Sequence, residues 1–294
     1  MVLLAVIGWE AVLSVGRRSL SRDVVHYDDV PTIFDEFLSS GDPAVLFLGN
    51  SLIREDIDAS TFTAAADDRP DVFRVHPDDT SIVEWRYLAD ALDERSVGDG
   101  KRIVVCYAQN QLTDDSLIQP RRLGAHYLEA GTRRRMLSED VTAFDRRAEL
   151  FLSKMLYSFA AADRVRNRVL ASIVPGYEST ATRLLAGGRG DAGVGETVDR
   201  DFGDRDVYRR LAALLDAFDA AGRPEVTFVA MPVGRDESPD PAAVDLIRRR
   251  GYVHLDATDL VPITAADLPD GYHMDEPAAK RFTAALAETF DRPR

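Results

Sequence analysis

Residues Ala44-Val45-Leu46-Phe47-Leu48 form a wholly apolar run that ends in Gly49-Asn50-Ser51. Five residues are too few for a buried helix, and a strand with one wet face would alternate apolar with polar. The run therefore reads as a strand covered on both faces. Four further runs share its character: Val72–Val75, Arg102–Tyr107, Val226–Met231 and Tyr252–Leu255. Helical patterns separate them. Ser81-Ile82-Val83-Glu84 has the spacing of a capping box opening a helix through Leu92. Tyr208 to Ala220 places Leu211, Leu214, Leu215 and Phe218 on one stripe, and Phe282, Ala285, Leu286 and Phe290 make another behind Pro277, which suits a first helical position. Alternating strands and helices imply an α/β protein, a three-layer α/β/α sandwich around a parallel five-stranded sheet with right-handed crossovers.

One connection is too long for a simple crossover. Ala108 to Glu225 separates the third strand from the fourth, and much of it has helical spacing. Ser138 to Ser172 is expected to be helical, with Phe144, Leu150, Phe151, Met155, Leu156 and Phe159 apolar. The region from about residue 113 to about 205 is read as a helical insertion over the carboxyl edge of the sheet, where it could serve as a lid, with a separate small domain as the alternative. The main domain spans 19–294. The Gly187–Gly195 stretch lacks a preceding strand and a Gly-Lys-Ser/Thr ending, so it reads as a loop and not a phosphate cradle.

Charge narrows the partners. The chain carries 50 acidic and 36 basic residues, a net charge of −14, which argues against nucleic acid. Its single cysteine, Cys106, lies in an apolar run and reads as a core residue. Val2 to Val15 is largely apolar but interrupted by Glu10 and followed by Arg17-Arg18. That is short for a span of roughly 20 residues. Residues 1–18 admit three readings: a membrane anchor, a core helix and an amphipathic surface helix. The two arginines favour a cytoplasmic carboxyl-terminal side.

Ligands in parallel α/β folds bind beyond the carboxyl ends of the strands. Ser51 follows one such end, where it suits a helix N-cap as well as a nucleophile. Asp270-Gly271-Tyr272-His273 precedes the last helix, and its spacing allows the aspartate to hold the imidazole while the other ring nitrogen faces a serine. Asp267 and Asp275 are alternative orienters. Asn110, in Tyr107-Ala108-Gln109-Asn110-Gln111-Leu112 at the end of the third strand, suits an oxyanion donor or a turn residue. His254 and Asp256 have no metal-ligand spacing with His273.

The order Gly-x-Ser, then Asn-x-Leu, then Asp-x-x-His before a terminal helix resembles the SGNH hydrolase superfamily, the GDSL-like esterases. The resemblance covers roughly 43–290 outside the insertion. It implies a flavodoxin-like sheet, Ser51 as nucleophile, His273 as base, Asp270 as orienter, and no metal or organic cofactor. It also implies an oxyanion hole formed by the Ser51 N–H, the Asn110 side chain and a glycine N–H after the second strand. No glycine stands there; Asp79 takes its place in Val75-His76-Pro77-Asp78-Asp79. Aspartate tolerates unusual turns, but an inward carboxylate would oppose an oxyanion.

The implied activity is hydrolysis of an O-acyl ester, with acetyl as the expected group, on a carbohydrate or another small ester. One alternative is O-acetyl transfer to a cell-surface polysaccharide beside a membrane-bound acyltransferase. The apolar N-terminus, the Glu84-Trp85 helix start and the insertion resemble the anchored, extracytoplasmic members of that kind. Their resemblance favours an anchor over a soluble cytoplasmic protein. A third reading, which Asp79 favours, is a non-catalytic binding or assembly module on the same fold.

Overall fold

The computed structural model describes residues 8–13, 15–16, 22–93, 97–98, 100–108, 110–114, 116, 118–162, 173, 208–233 and 238–290. The chain packs as two compact units. One comprises Met1–Asp28 and Leu117–Asp201, the other Asp29–Ser116 and Phe202–Arg294.

The second unit holds a five-stranded sheet, all of whose neighbours are parallel: β1 (Ala44–Leu48), β2 (Asp71–Val75), β3 (Lys101–Tyr107), β4 (Glu225–Ala230) and β5 (Val253–Asp256). Their order is β2-β1-β3-β4-β5. The chain builds outward from β1 to β2, then returns to the other side of β1 for β3. The crevice between the carboxyl ends of β1 and β3 is thus the switch point at which ligands bind in such sheets. Every residue of central β1 is buried, whereas edge strands β2 and β5 are mostly half-buried.

Helices cover both faces, giving the expected three-layer sandwich. Alternate residues Val45, Phe47, Val104, Cys106 and Val229 enter one core. There they meet α2 (Ser51–Asp56), α3 (Ala59–Ala65) and α11 (Glu276–Phe290) through Leu52, Ile53, Phe62, Phe282 and Leu286. Cys106 is fully buried, and desolvation pushes its thiol pKa up, so it stays protonated and inert. The opposite face carries α4 (Ile82–Asp93) and α9 (Arg209–Ala220), which pack together. Phe218 of α9 sits edge-on to Phe228 of β4. Helix α10 (Pro241–Arg249) lies beside β5. Helix α1 (Arg22–Ser39) belongs by sequence to both units, and its Phe37 meets Phe73 of β2.

The described part of the first unit is mainly helical. It contains α5 (Pro120–His126), α6 (Ala130–Arg135), a π-helical turn over Met136–Asp140, α7 (Phe144–Met155) and α8 (Tyr157–Ala160). The helix expected over 138–172 is broken in the described part. Val141 to Ala143 leave the helical conformation, and a new helix starts at Phe144. Helices α5 and α7 meet backbone to backbone at Gly124, where an added Cβ would stand 2.1 Å from the Leu150 carbonyl oxygen. Within the N-terminal segment, residues 8–13 are helical. No described helix is long and apolar enough to cross a membrane. The Gly187–Gly195 loop lies outside the described residues.

Candidate active site

The turn after β1 is shaped by close approach. Gly49 lies against the end of β3, and a Cβ there would meet the Cys106 carbonyl oxygen at 2.7 Å and Ile53 Cδ1 at 2.8 Å. Only glycine fits without moving backbone. Asn50 then caps α2: its side chain accepts from the Leu52 N–H at 3.1 Å. The capping role thus belongs to Asn50, not Ser51, and Ser51 becomes the first helical residue with its hydroxyl available for other work. Asn50 Nδ2 also donates to the Thr80 carbonyl at 3.0 Å, tying this turn to the one after β2. Buried Trp85 reinforces the tie, donating Nε1–H toward the Gly49 carbonyl and Thr80 Oγ1, each at 3.1 Å. Glu84 accepts from the Ser81 N–H at 3.2 Å, so one half of the expected capping box forms.

The loop before α11 brings the histidine. Gly271 turns the chain at φ 77°. Asp270 Oδ1 accepts the backbone N–H groups of Tyr272 at 2.9 Å and His273 at 2.7 Å. Its other oxygen faces His273 Nδ1 at 2.6 Å, and His273 Nε2 faces Ser51 Oγ at 2.9 Å. Serine, histidine and aspartate, 222 residues apart at the extremes of the serine–histidine pair, form one continuous hydrogen-bonded line. Burial opposes ionisation of Asp270. The hydrogen bonds from the His273 ring and from the two backbone N–H groups outweigh it and hold the carboxyl below its ordinary range. An ionised Asp270 requires a proton on Nδ1, which leaves Nε2 of a neutral imidazole to accept from the serine hydroxyl.

The two alternative orienters have other tasks. Asp267 accepts from the Thr264 N–H and hydroxyl and pairs with Arg281 at 2.8 Å. The Thr264 hydroxyl, Arg281 and the Thr264 N–H together lower its carboxyl to about 2. Asp275 accepts from the Ala278 N–H at the start of α11.

Two supports were not apparent in the sequence. Gln111, in the turn after β3, accepts from the Ala108 N–H at 2.9 Å and donates to the Tyr272 hydroxyl at 3.1 Å. Tyr272 stands edge-on to the His273 ring, with centroids 5.0 Å apart. Beneath the loop, the buried Asp56 accepts the Met274 N–H at 2.8 Å. Desolvation raises the Asp56 carboxyl to about 8, against the lowering effect of the Met274 hydrogen bond. Its second oxygen, Oδ2, is buried with no hydrogen-bond partner among the described residues. No local sign singles out Asp56: it ends the charged run Arg54-Glu55-Asp56 between Ile53 and Ile57, where a solvated face is the ordinary expectation.

Of the expected oxyanion donors, Asn110 lies in the exposed turn after β3, beside Gln111, and its carbonyl accepts from the Thr113 N–H at 3.0 Å. Asp79 follows β2 with φ 56°, the left-handed conformation that a glycine adopts freely, and is exposed. Its neighbour Asp78 pairs with Arg54 of α2. His254 is engaged elsewhere, with Nε2 2.8 Å from the Tyr107 hydroxyl. Among the described residues, no three histidine, cysteine or carboxylate side chains are grouped to hold a metal ion.

A scan of protein-family models found no match to this chain, and a search of curated proteins found none either.

Proposed function

We propose that the protein is a serine-dependent O-acyl ester hydrolase of the SGNH kind, acting on an acetylated carbohydrate or another small ester. The observation that carries this is the line from Asp270 through His273 to Ser51, at 2.6 and 2.9 Å. In the first half-reaction, Ser51 Oγ attacks the ester carbonyl while its proton passes to His273 Nε2. The imidazolium is stabilised by Asp270. The Leu52 and Ile53 N–H groups are occupied by Asn50, so the Ser51 N–H is the helix donor left for the oxyanion, with Asn110 and the N–H of Asp79 as its companions. His273 next gives the proton to the leaving alcohol, then takes a proton from the water that attacks the acyl-enzyme, and returns it to Ser51 Oγ as the acyl–oxygen bond breaks and the acid leaves.

Transfer of the same acyl group to a sugar hydroxyl shares the first half-reaction, and would suit a protein working beside a membrane-bound acyltransferase. A non-catalytic binding module is the reading that Asp79 favours, because a side chain stands where the resemblance calls for glycine. Turnover of p-nitrophenyl acetate separates the two acyl-enzyme readings from the binding module, and added sugar that becomes acetylated separates transfer from hydrolysis. The hydrolase reading expects cleavage that disappears in Ser51→Ala and in His273→Ala, with the double variant no worse than either single one, since the two act as a unit. Absence of cleavage in the wild type, or full cleavage in Ser51→Ala, would refute it.

A further inference from the structure

Helix α7 of the first unit is amphipathic in the wrong sense for a helix that serves only its own core. Its inner face is secured by Leu150 and Ser153, both buried, and by the backbone contact at Gly124. Its outer face is apolar. Phe144 is 87% exposed, Met155 79%, Leu152 40% and Phe151 39%. At about 100° per residue, Phe144, Phe151 and Met155 fall within about 40° of one another, with Leu152 at the margin of the stripe. A second apolar group belongs to the same unit. Trp9 is 53% and Val12 64% exposed, on a helical stretch joined to α8 through the Glu10 carboxylate, which accepts the Ser158 N–H at 3.1 Å.

The stretch of sequence that carries the stripe is basic, in contrast with the chain as a whole. From Pro120 to Met155 there are eight arginines and lysines against five carboxylates, whereas the whole chain has 36 against 50. Lys154 borders the stripe directly, and Arg133 and Arg134 are exposed on the preceding helix. A helix with an aromatic and aliphatic outer face, basic neighbours and an otherwise polar composition is the kind that lies in the plane of a lipid–water interface. The stripe is one helix wide, and so falls short of the roughly 20–30 residues a side that a stable protein–protein interface uses.

We propose that the outer face of α7 docks the helical unit on an anionic lipid surface, with Phe144, Phe151 and Met155 entering the acyl boundary and Lys154 beside them meeting lipid phosphates. This is independent of the reaction at Ser51 and distinct from an anchor at residues 1–18.

The test uses the full chain with vesicles of phosphatidylcholine alone or mixed 7:3 with phosphatidylglycerol, a ratio giving a roughly physiological anionic surface. Co-sedimentation should occur with the mixed vesicles and weaken with salt. The triple variant Phe144→Ser/Phe151→Ser/Met155→Ser should lose at least about tenfold in vesicle affinity while its melting temperature holds, since the replaced side chains are exposed. A second readout is independent of that variant. Met155→Cys, labelled with an environment-sensitive fluorophore while buried Cys106 stays unreacted, should brighten and shift blue on the mixed vesicles only. The proposal is overturned by equal binding of wild type and triple variant, by equal binding to neutral vesicles, or by an unresponsive label at position 155. It is equally overturned by a wild-type dimer that the triple variant dissolves without any vesicle binding, which would make a second copy the occupant.

Discussion

At the scale of single residues, the candidate site rests on how firmly one imidazole is held. Asp270 fixes both the backbone of the loop and the ring it carries, because one of its oxygens accepts two N–H groups and the other faces Nδ1. Asp270→Asn keeps the shape but loses the charge that selects the tautomer, so turnover should fall by about 10²–10⁴-fold while the melting temperature moves little. Gln111→Ala removes the bond to Tyr272. With about 1 kcal/mol at stake, kcat should fall roughly fivefold with KM little changed, and Gln111→Glu should restore part of the loss. Asp79 is exposed at positive φ, so Asp79→Gly should raise stability by about 0.5–1 kcal/mol and leave kcat/KM within about threefold. A rise of about a hundredfold would instead place its carboxylate against the oxyanion. Ser51, Asp270 and His273 were legible in the sequence because their signals are local: a strand ending in Gly-Asn-Ser, and an aspartate three residues before a histidine. Gln111 was not. Its partner lies 161 residues away, and no local pattern announces a contact made only when two loops distant in the chain fold against each other.

At the scale of elements, two supports hold the loop and helix that carry the site. Gly49 lets the β1–α2 turn pass against β3. Gly49→Ala would push a Cβ onto the Cys106 carbonyl and should cost about 1–3 kcal/mol, read as a lower denaturation midpoint, with activity falling as Ser51 is displaced. Asp56 ties the end of α2 to Met274. Its carboxyl is raised to about 8 in the folded chain from an ordinary value near 3.8, so the folded state keeps a proton that the unfolded state releases. The sign follows: the stability contributed by Asp56 is fully present below pH 3.8, declines as pH rises through that window, and levels off above about 8. Asp56→Asn preserves an acceptor for the Met274 N–H and has no proton to lose. Its stability, measured by urea denaturation from pH 5 to 9, should fall less steeply with pH than that of the wild type. Parallel slopes would mean that Asp56 ionises freely where it stands. Strand β1 matched its expected limits, whereas β2, β3, β4 and β5 each moved by a residue at one or both ends, taking in Asp71, Lys101, Glu225 and Asp256, charged residues that an apolar run does not announce. The break before α7 was hidden, because Val141 and Leu137 also satisfy helical spacing; the carbonyls of both accept from Arg147 instead.

At the scale of the whole molecule, the runs of buried apolar residues sufficed for an α/β/α sandwich, since strands without a polar face need helices on both sides. Strand order is a different kind of information. It arises from the pairing of β1 with both β2 and β3, and it places the Ser51 turn and the Asn110–Gln111 turn on either side of one crevice. The division into two units depends on which helices pack together, and helical periodicity alone cannot say against what a stripe will be buried. The central claim is that Ser51 is activated by His273, and a fluorophosphonate probe reads that activation directly, without knowledge of the natural ester. The wild-type chain should be labelled rapidly at Ser51, with labelling lost in Ser51→Ala and strongly slowed in His273→Ala. A folded wild-type chain that resists the probe, or labelling at another residue that persists in Ser51→Ala, would contradict the account.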